Sequence, residues 1–321
     1  MYDVAEEFPQ APQNVAGEAD FQRGAWVEVR SATEIAATLD ADGCLDGLPF
    51  MPEMARLCGR RLKVLKRADK TCVEGFGLRR MRDTVFLDES RCDGAAHESC
   101  ARNCLMFWKE AWLKPASLAP APPSDADPTV GLPPLRTREG DRFICQSTAL
   151  AAATAPVSKF AMDHLITDLR RGDITRGRLA HIIARTAANV ALRLIGLSPI
   201  NFLKGPGAER SRGGLNLKPG DWVRVKSAAE IRATLDAEGK NLGLAFEPEM
   251  VRYAGGVHQV EFLVSRMIHE ETGRMVKLQR TVALRGLSCI GLCVRNCPRA
   301  NTLYWREIWL ERADPPTALA N

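Results

Sequence analysis

Apolar and polar positions alternate in short runs that occur twice along the chain. Trp26-Val-Glu-Val29 and Trp222-Val-Arg-Val225 alternate around a large aromatic residue and predict strands. Ser31-x-x-Glu34 and Ser227-x-x-Glu230 follow as capping boxes, so a short helix should run from each to about Asp40 or Asp236, with Gly43 and Gly239 marking the stop. Gly47 to Met54 and Gly243 to Met250 read as irregular loops that insert Leu, Phe and Met into a core. Two strand pairs are predicted next, Arg61 to Arg67 with Leu78 to Leu87 and Val257 to Ser265 with Met275 to Leu284. The second pair closes at the turn signal Glu271-Thr-Gly-Arg274. The terminal runs Phe107 to Leu113 and Tyr304 to Leu310 place Trp108 and Trp112, and Trp305 and Trp309, four apart. In a strand each pair faces one side, and core packing is the expected role.

These runs are one repeat. Gly24 to Cys58 aligns without a gap on Gly220 to Ala254 with 21 identities in 35 positions, and Phe107-Trp-Lys-Glu-Ala-Trp-Leu113 aligns on Tyr304-Trp-Arg-Glu-Ile-Trp-Leu310. The expected layout is a flexible N-terminus (1–22), a first module (23–114), a Pro-rich linker (115–141), a helical segment (142–205), a second module (219–312) and a flexible tail (313–321). In the helical segment Leu179, Ile182, Ile183, Ala187, Val190 and Leu194 recur at helical spacing, ended by Gly196 and Pro199, and Lys159 to Arg171 reads as another helix. The fold class is mainly β with α: two tandem SH3-like small barrels, with α+β modules on open antiparallel sheets as the alternative. With Arg91-Cys-Asp-Gly94, the two Trp runs and the central Ile144-Cys-Gln-Ser-Thr148, the chain resembles an uncharacterised family of bacterial proteins with this two-module layout. That resemblance implies the architecture and no activity or ligand.

Composition narrows the classes. The 321 residues are 45% hydrophobic and 26% charged, which excludes whole-chain disorder, and no run approaches a membrane span. Met1 to Gln22 is acidic and polar with no apolar signal core, so a cytoplasmic location is expected. The net charge of +5 is modest, and Arg176, Arg178, Arg185 and Arg193 read as a solvated helix face, so no nucleic-acid partner is expected, whereas a protein partner is. Nucleotide-binding, dinucleotide-binding and common hydrolase motifs are missing, and no general acid or base is assigned. Asp40, Asp236, Glu53 and Glu249 read as helix-end and loop hydrogen-bonding groups.

Ten cysteines are many for a reducing compartment, and six fall in two short loops. Cys92, His97, Cys100 and Cys104 offer three thiols and an imidazole within thirteen residues, and the second module has Cys289, Cys293 and Cys297. Aligned without a gap, Cys92 meets Cys289 and Cys100 meets Cys297; a four-residue shift instead pairs Cys-Ala-Arg-Asn-Cys with Cys-Val-Arg-Asn-Cys. A fourth thiol for the first loop would be Cys58 or Cys72. Cys72 sits at a hairpin tip roughly 25 Å away at about 3.3 Å per residue, which weakens it. Ala254 replaces Cys58 in the second module, which leaves Cys145 as its candidate. The expectation is a zinc-stabilised two-module binding or adaptor protein, with Zn2+ as the default metal. The alternative is an iron-sulfur redox protein or enzyme with one [4Fe-4S] cluster per module.

Overall fold

The computed structural model describes residues 21–116, 130–158, 161–207 and 214–316. The expected flexible N-terminus up to residue 20, residues 117–129 of the Pro-rich linker and the tail from 317 lie outside the described residues, as does the side chain of Cys293.

Each module is one five-stranded antiparallel sheet curled into a half-barrel. In the first, the order is Leu105–Lys109, Thr84–Arg91, Arg61–Arg67, Trp26–Val29, Leu113–Pro115. The second repeats it with Thr302–Arg306, Thr281–Ser288, Val257–Leu263, Trp222–Val225 and Leu310–Arg312. Both predicted capping boxes form: Ser31 Oγ and Ser227 Oγ each accept the backbone N–H three residues on, and Glu34 and Glu230 reach back to the serine N–H. Asp40 Oδ1 and Asp236 Oδ1 each accept two loop N–H groups, the hydrogen-bonding role expected of them.

Trp108, Trp112, Trp305 and Trp309 are fully buried, but by a different geometry from the one the spacing suggested. Trp108 and Trp305 lie in strands, whereas Trp112 and Trp309 lie in the short 3-10 turns Glu110–Trp112 and Glu307–Trp309. The turn, not strand alternation, brings each pair onto one ring. Phe50 takes Trp108 and Trp112 edge-on at 6.2 and 5.3 Å, and Phe246 does the same for Trp305 and Trp309 at 6.1 and 5.2 Å.

The strand pairing also differs. Arg61–Arg67 pairs with Thr84–Arg91, and a separate hairpin, Lys70–Val73 with Gly77–Arg80, stands between them. The second module has the matching insert, Arg266–Ile268 with Met275–Lys277, between Val257–Leu263 and Thr281–Ser288. A β-bulge lies on Arg61–Arg67 between Val64 and Lys66 and on Val257–Leu263 between Val260 and Phe262, so both inserts are thrown away from their own sheet.

Between the modules lie helices Gln146–Ala149, Asp163–Arg170 and Arg176–Leu194. The last ends as predicted, with Gly196 at positive φ and Leu197 N–H returned to the Leu192 carbonyl. Of its apolar stripe only Ile182 is fully buried; Ile183, Val190 and Leu194 are exposed. No helix among the described residues is long and apolar enough to cross a membrane.

Candidate functional site

The two inserted hairpins cross over. Ile268 of the second module donates its N–H to Cys100 Sγ at 3.3 Å, and Cys72 of the first donates its N–H to Cys297 Sγ at 3.0 Å. Arg102 Nη1 donates to the Ile268 carbonyl at 2.8 Å, and Arg299 Nη1 to the Cys72 carbonyl at 3.0 Å. Ile268 and Cys72 are repeat equivalents, as are the two arginines, so each module's hairpin closes the other's cysteine loop.

Hydrogen bonds inside the loops settle which alignment is structural. Cys92 N–H goes to Cys104 O and Cys289 N–H to Asn301 O; Ser99 N–H goes to Gly94 O and Asn296 N–H to Gly291 O; Cys100 N–H goes to His97 O and Cys297 N–H to Val294 O. The ungapped register therefore holds, Cys104 corresponds to Asn301, and Cys293 corresponds to Ala96. A Cβ on Gly94 or Gly291, both at positive φ, would stand 2.2 or 2.3 Å from the carbonyl oxygen of Cys100 or Cys297, so only glycine permits this loop to fold back on its own cysteine.

The first loop's thiols share a cavity. Cys92, Cys100, Cys104 and Cys145 line a narrow space of about 30 Å³, room for little more than one water, walled by Met51, Phe107 and Ile268. Cys145 stands just before helix Gln146–Ala149, which docks here because the Gln146 side chain bridges the Phe107 N–H and carbonyl at 2.8 Å each. Cys145 thus joins the first loop and Cys72 the second, the reverse of the sequence expectation. Cys58 is half-buried against the first module's core and lies outside this cavity. At the second loop Cys289 and Cys297 line a wider cleft of about 480 Å³. As the side chains stand, no three Cys, His, Asp or Glu residues among the described residues converge tightly enough to hold a metal ion.

His97 is buried, but its nitrogens are taken. Nδ1 lies 2.6 Å from Glu53 Oε1 and Nε2 2.9 Å from the Ile144 carbonyl oxygen. Two acceptors call for two donors, so an imidazolium fits where a neutral ring would set a lone pair against an oxygen. Burial pulls the His97 pKa down, yet the Glu53 carboxylate outweighs it and holds the imidazole above its ordinary value. Burial likewise pushes Glu53 up, and its hydrogen bond and charge contact with His97 bring it below the carboxylate norm. His97 in this state organises the loop, with both ring nitrogens engaged by protein acceptors. In the second module Val294 takes its place, and Glu249 Oε2 accepts the Ile290 N–H at 2.6 Å instead.

Burial governs the thiols. It raises Cys92, Cys100 and Cys289 and pushes Cys145 up to about 11, so these groups are protonated near neutrality unless a cation binds. Cys297 is the exception: burial opposes it, but hydrogen bonds from the Cys72 thiol and from the N–H groups of Arg299 and Cys72 hold it low.

Between the thiol groups lies a charge network that sequence reading missed. Glu270, 4% exposed, accepts Arg299 Nη1 and Nη2 at 3.0 and 2.6 Å and Arg102 Nη2 at 2.9 Å. Arg299 Nη2 also donates to Ser147 Oγ at 2.6 Å, which lies 3.7 Å from Cys104 Sγ. A polar path thus runs from Cys104 through Ser147 and Arg299 to Cys72. Two guanidiniums share one carboxylate, so the centre of the molecule carries excess positive charge between two groups of thiols. The available signal was the pairing of Cys100-x-Arg102 with Cys297-x-Arg299 in the ungapped register. Comparison with protein families, curated proteins and solved structures gives no match for this chain.

Proposed function

We propose that the chain is a two-centre iron-sulfur protein of electron-transfer type, with Cys92, Cys100, Cys104 and Cys145 at one centre and Cys289, Cys293, Cys297 and Cys72 at the other. The observation that carries this reading is a thiol from elsewhere in the chain beside each loop: Cys145 in the first loop's cavity and, through the crossed hairpin, Cys72 at Cys297. Each three-cysteine loop receives a fourth thiol from outside itself, as an all-thiolate cluster requires.

Three further features support it. The first loop and the segment after the linker bring four thiols, Cys92, Cys100, Cys104 and Cys145, to the wall of one cavity, the ligand number and type of an all-thiolate cluster. Backbone N–H groups of Ile268, Cys72 and Gly291 already point at Cys100, Cys297 and Cys289 sulfurs, the hydrogen bonding that tunes cluster potentials. Arg102 and Arg299 supply buried positive charge that would offset an anionic centre on either side. A cluster would need the lining side chains to rotate outward and widen the cavity of about 30 Å³. As to the scaffold, three meandering strands, a first strand pairing with both the second and the fifth, and a 3-10 turn before the fifth favour an SH3-like barrel in each module.

Protein purified without oxygen is expected to be brown, with visible absorbance and iron and acid-labile sulfide in matching amounts. Colourless protein with stoichiometric zinc would return the reading to a zinc-stabilised binding or adaptor protein. Neither metal in stoichiometric amount would end both readings.

A further inference from the structure

The cleft beside Cys289 and Cys297 contains cations that the fold leaves without counter-charge. It lies between strand Arg61–Arg67, the start of helix Arg176–Leu194 and the second cysteine loop, and its volume of about 480 Å³ is in the range of small-molecule sites. Several of its charges are already matched. Asp69 is held by Arg67 and Arg171, Arg67 also by Glu110, and Lys70 pairs with Asp168 at 2.5 Å.

Three cations remain without an ion pair among the described residues. Lys66 has no carboxylate partner; the Phe86 ring lies 5.9 Å from its ammonium, and its nearby anionic candidates are the Cys297 and Cys289 sulfurs. Arg178 donates to neutral groups, Asn296 Oδ1 at 3.1 Å and the Ile290 carbonyl at 2.5 Å. Arg23 is exposed at the rim. Against them stands one carboxyl without an ion pair, Asp173. Three positive groups against Asp173 and, when ionised, the Cys297 thiol leave one to two charges to be met, and a phosphate monoester carries about −1.5 to −2 near neutrality. A largely buried ammonium without a carboxylate is costly by itself, and burial lowers the Lys66 pKa accordingly. An anion seated beside it removes that cost, and planar guanidiniums suit phosphate oxygens.

We propose that this cleft binds a small phosphorylated molecule, its phosphate held by Lys66, Arg178 and Arg23 and its remainder lying along the Cys289–Cys297 loop.

Calorimetric titration at fixed ionic strength tests it, with inorganic phosphate and glycerol phosphate as probes and malonate as the carboxylate arm. Both phosphates should bind at one site and more tightly than malonate. Lys66→Gln should weaken them about tenfold or more, the worth of a hydrogen bond to a charged group. Arg23→Gln, at the exposed rim, should weaken them less while leaving the melting curve unchanged, which keeps the test sound if Lys66→Gln misfolds. Lys63→Gln, on the same strand but outside the cleft, should change nothing. Absence of phosphate binding, undiminished binding in both cleft variants, or equal affinity for malonate would each overturn the proposal. None of these outcomes bears on iron or zinc content.

Discussion

Replacing Glu270 by Gln should destabilise the protein by about 3 to 5 kcal/mol, the cost of breaking a buried ion pair from one side. Glu270 and Arg299 are 3% and 4% exposed at the side chain, and Arg102 shares the same carboxylate, so the substitution leaves two guanidiniums facing a neutral amide. These contacts join the two cysteine loops and hold the crossed hairpins, so the loss should appear as a lower midpoint in denaturant unfolding and as earlier separation of the modules. Glu311→Gln removes an exposed partner of Arg224, 53% exposed on each side, and should cost well under about 1 kcal/mol. Because a buried pair is dear to break and cheap to replace, Glu270→Leu combined with Arg299→Met should recover part of the loss. If Glu270→Gln behaves like Glu311→Gln, the network does not hold the modules together.

The Glu53–His97 pair predicts a pH dependence of defined sign. His97 is raised above its ordinary 6.5, so its contribution is full below that value and fades as pH rises through the raised one. Glu53 is lowered below 4.5, so its contribution is present above that value and disappears as acid titrates through the lowered one. Together they stabilise the first loop most between about pH 4.5 and 6.5. Denaturant unfolding across pH should show this maximum in the wild type and a flattened profile in His97→Gln. The variant should also lose about 3 to 5 kcal/mol inside that window, because Glu53 is left buried without its partner. An unchanged pH profile in His97→Gln would mean that the imidazole is neutral in the folded state and that the loop is organised by other contacts.

How far the sequence reveals the molecule depends on the reach of each interaction. Capping boxes and the Trp repeat are local, and the structure contains them at the expected residues, although the capped helices end at Ala36 and Thr234, short of the expected Asp40 and Asp236 and of the glycines beyond them. The two sheets follow from the same alternation. The inserted hairpins are less legible because Lys70 to Arg80 has the same polar-apolar texture as a continuous strand pair, and only a bulge at Val64/Lys66 diverts it. Distance counts against Cys72 only along one continuous hairpin from Arg61 to Leu87; Cys72 instead lies in the separate hairpin that reaches the second loop, which local spacing does not reveal. Cys145 is placed by the Gln146 side chain gripping Phe107 across the module boundary, a tertiary contact that local spacing does not encode. His97 lies among cysteines in the sequence, yet its partner Glu53 comes from 44 residues away and engages it as loop support.

A fourth thiol reaching each loop from outside it, Cys145 at the first and Cys72 at the second, is the central claim, and metal content in single cysteine variants tests it most directly. Iron, sulfide and zinc should be measured per chain in anaerobically purified wild type, Cys145→Ser, Cys72→Ser and Cys58→Ser. The account predicts that Cys145→Ser and Cys72→Ser each lose about half of the wild-type metal, one centre apiece, while Cys58→Ser keeps all of it. Full metal in both Cys145→Ser and Cys72→Ser, or loss in Cys58→Ser alone, would contradict it.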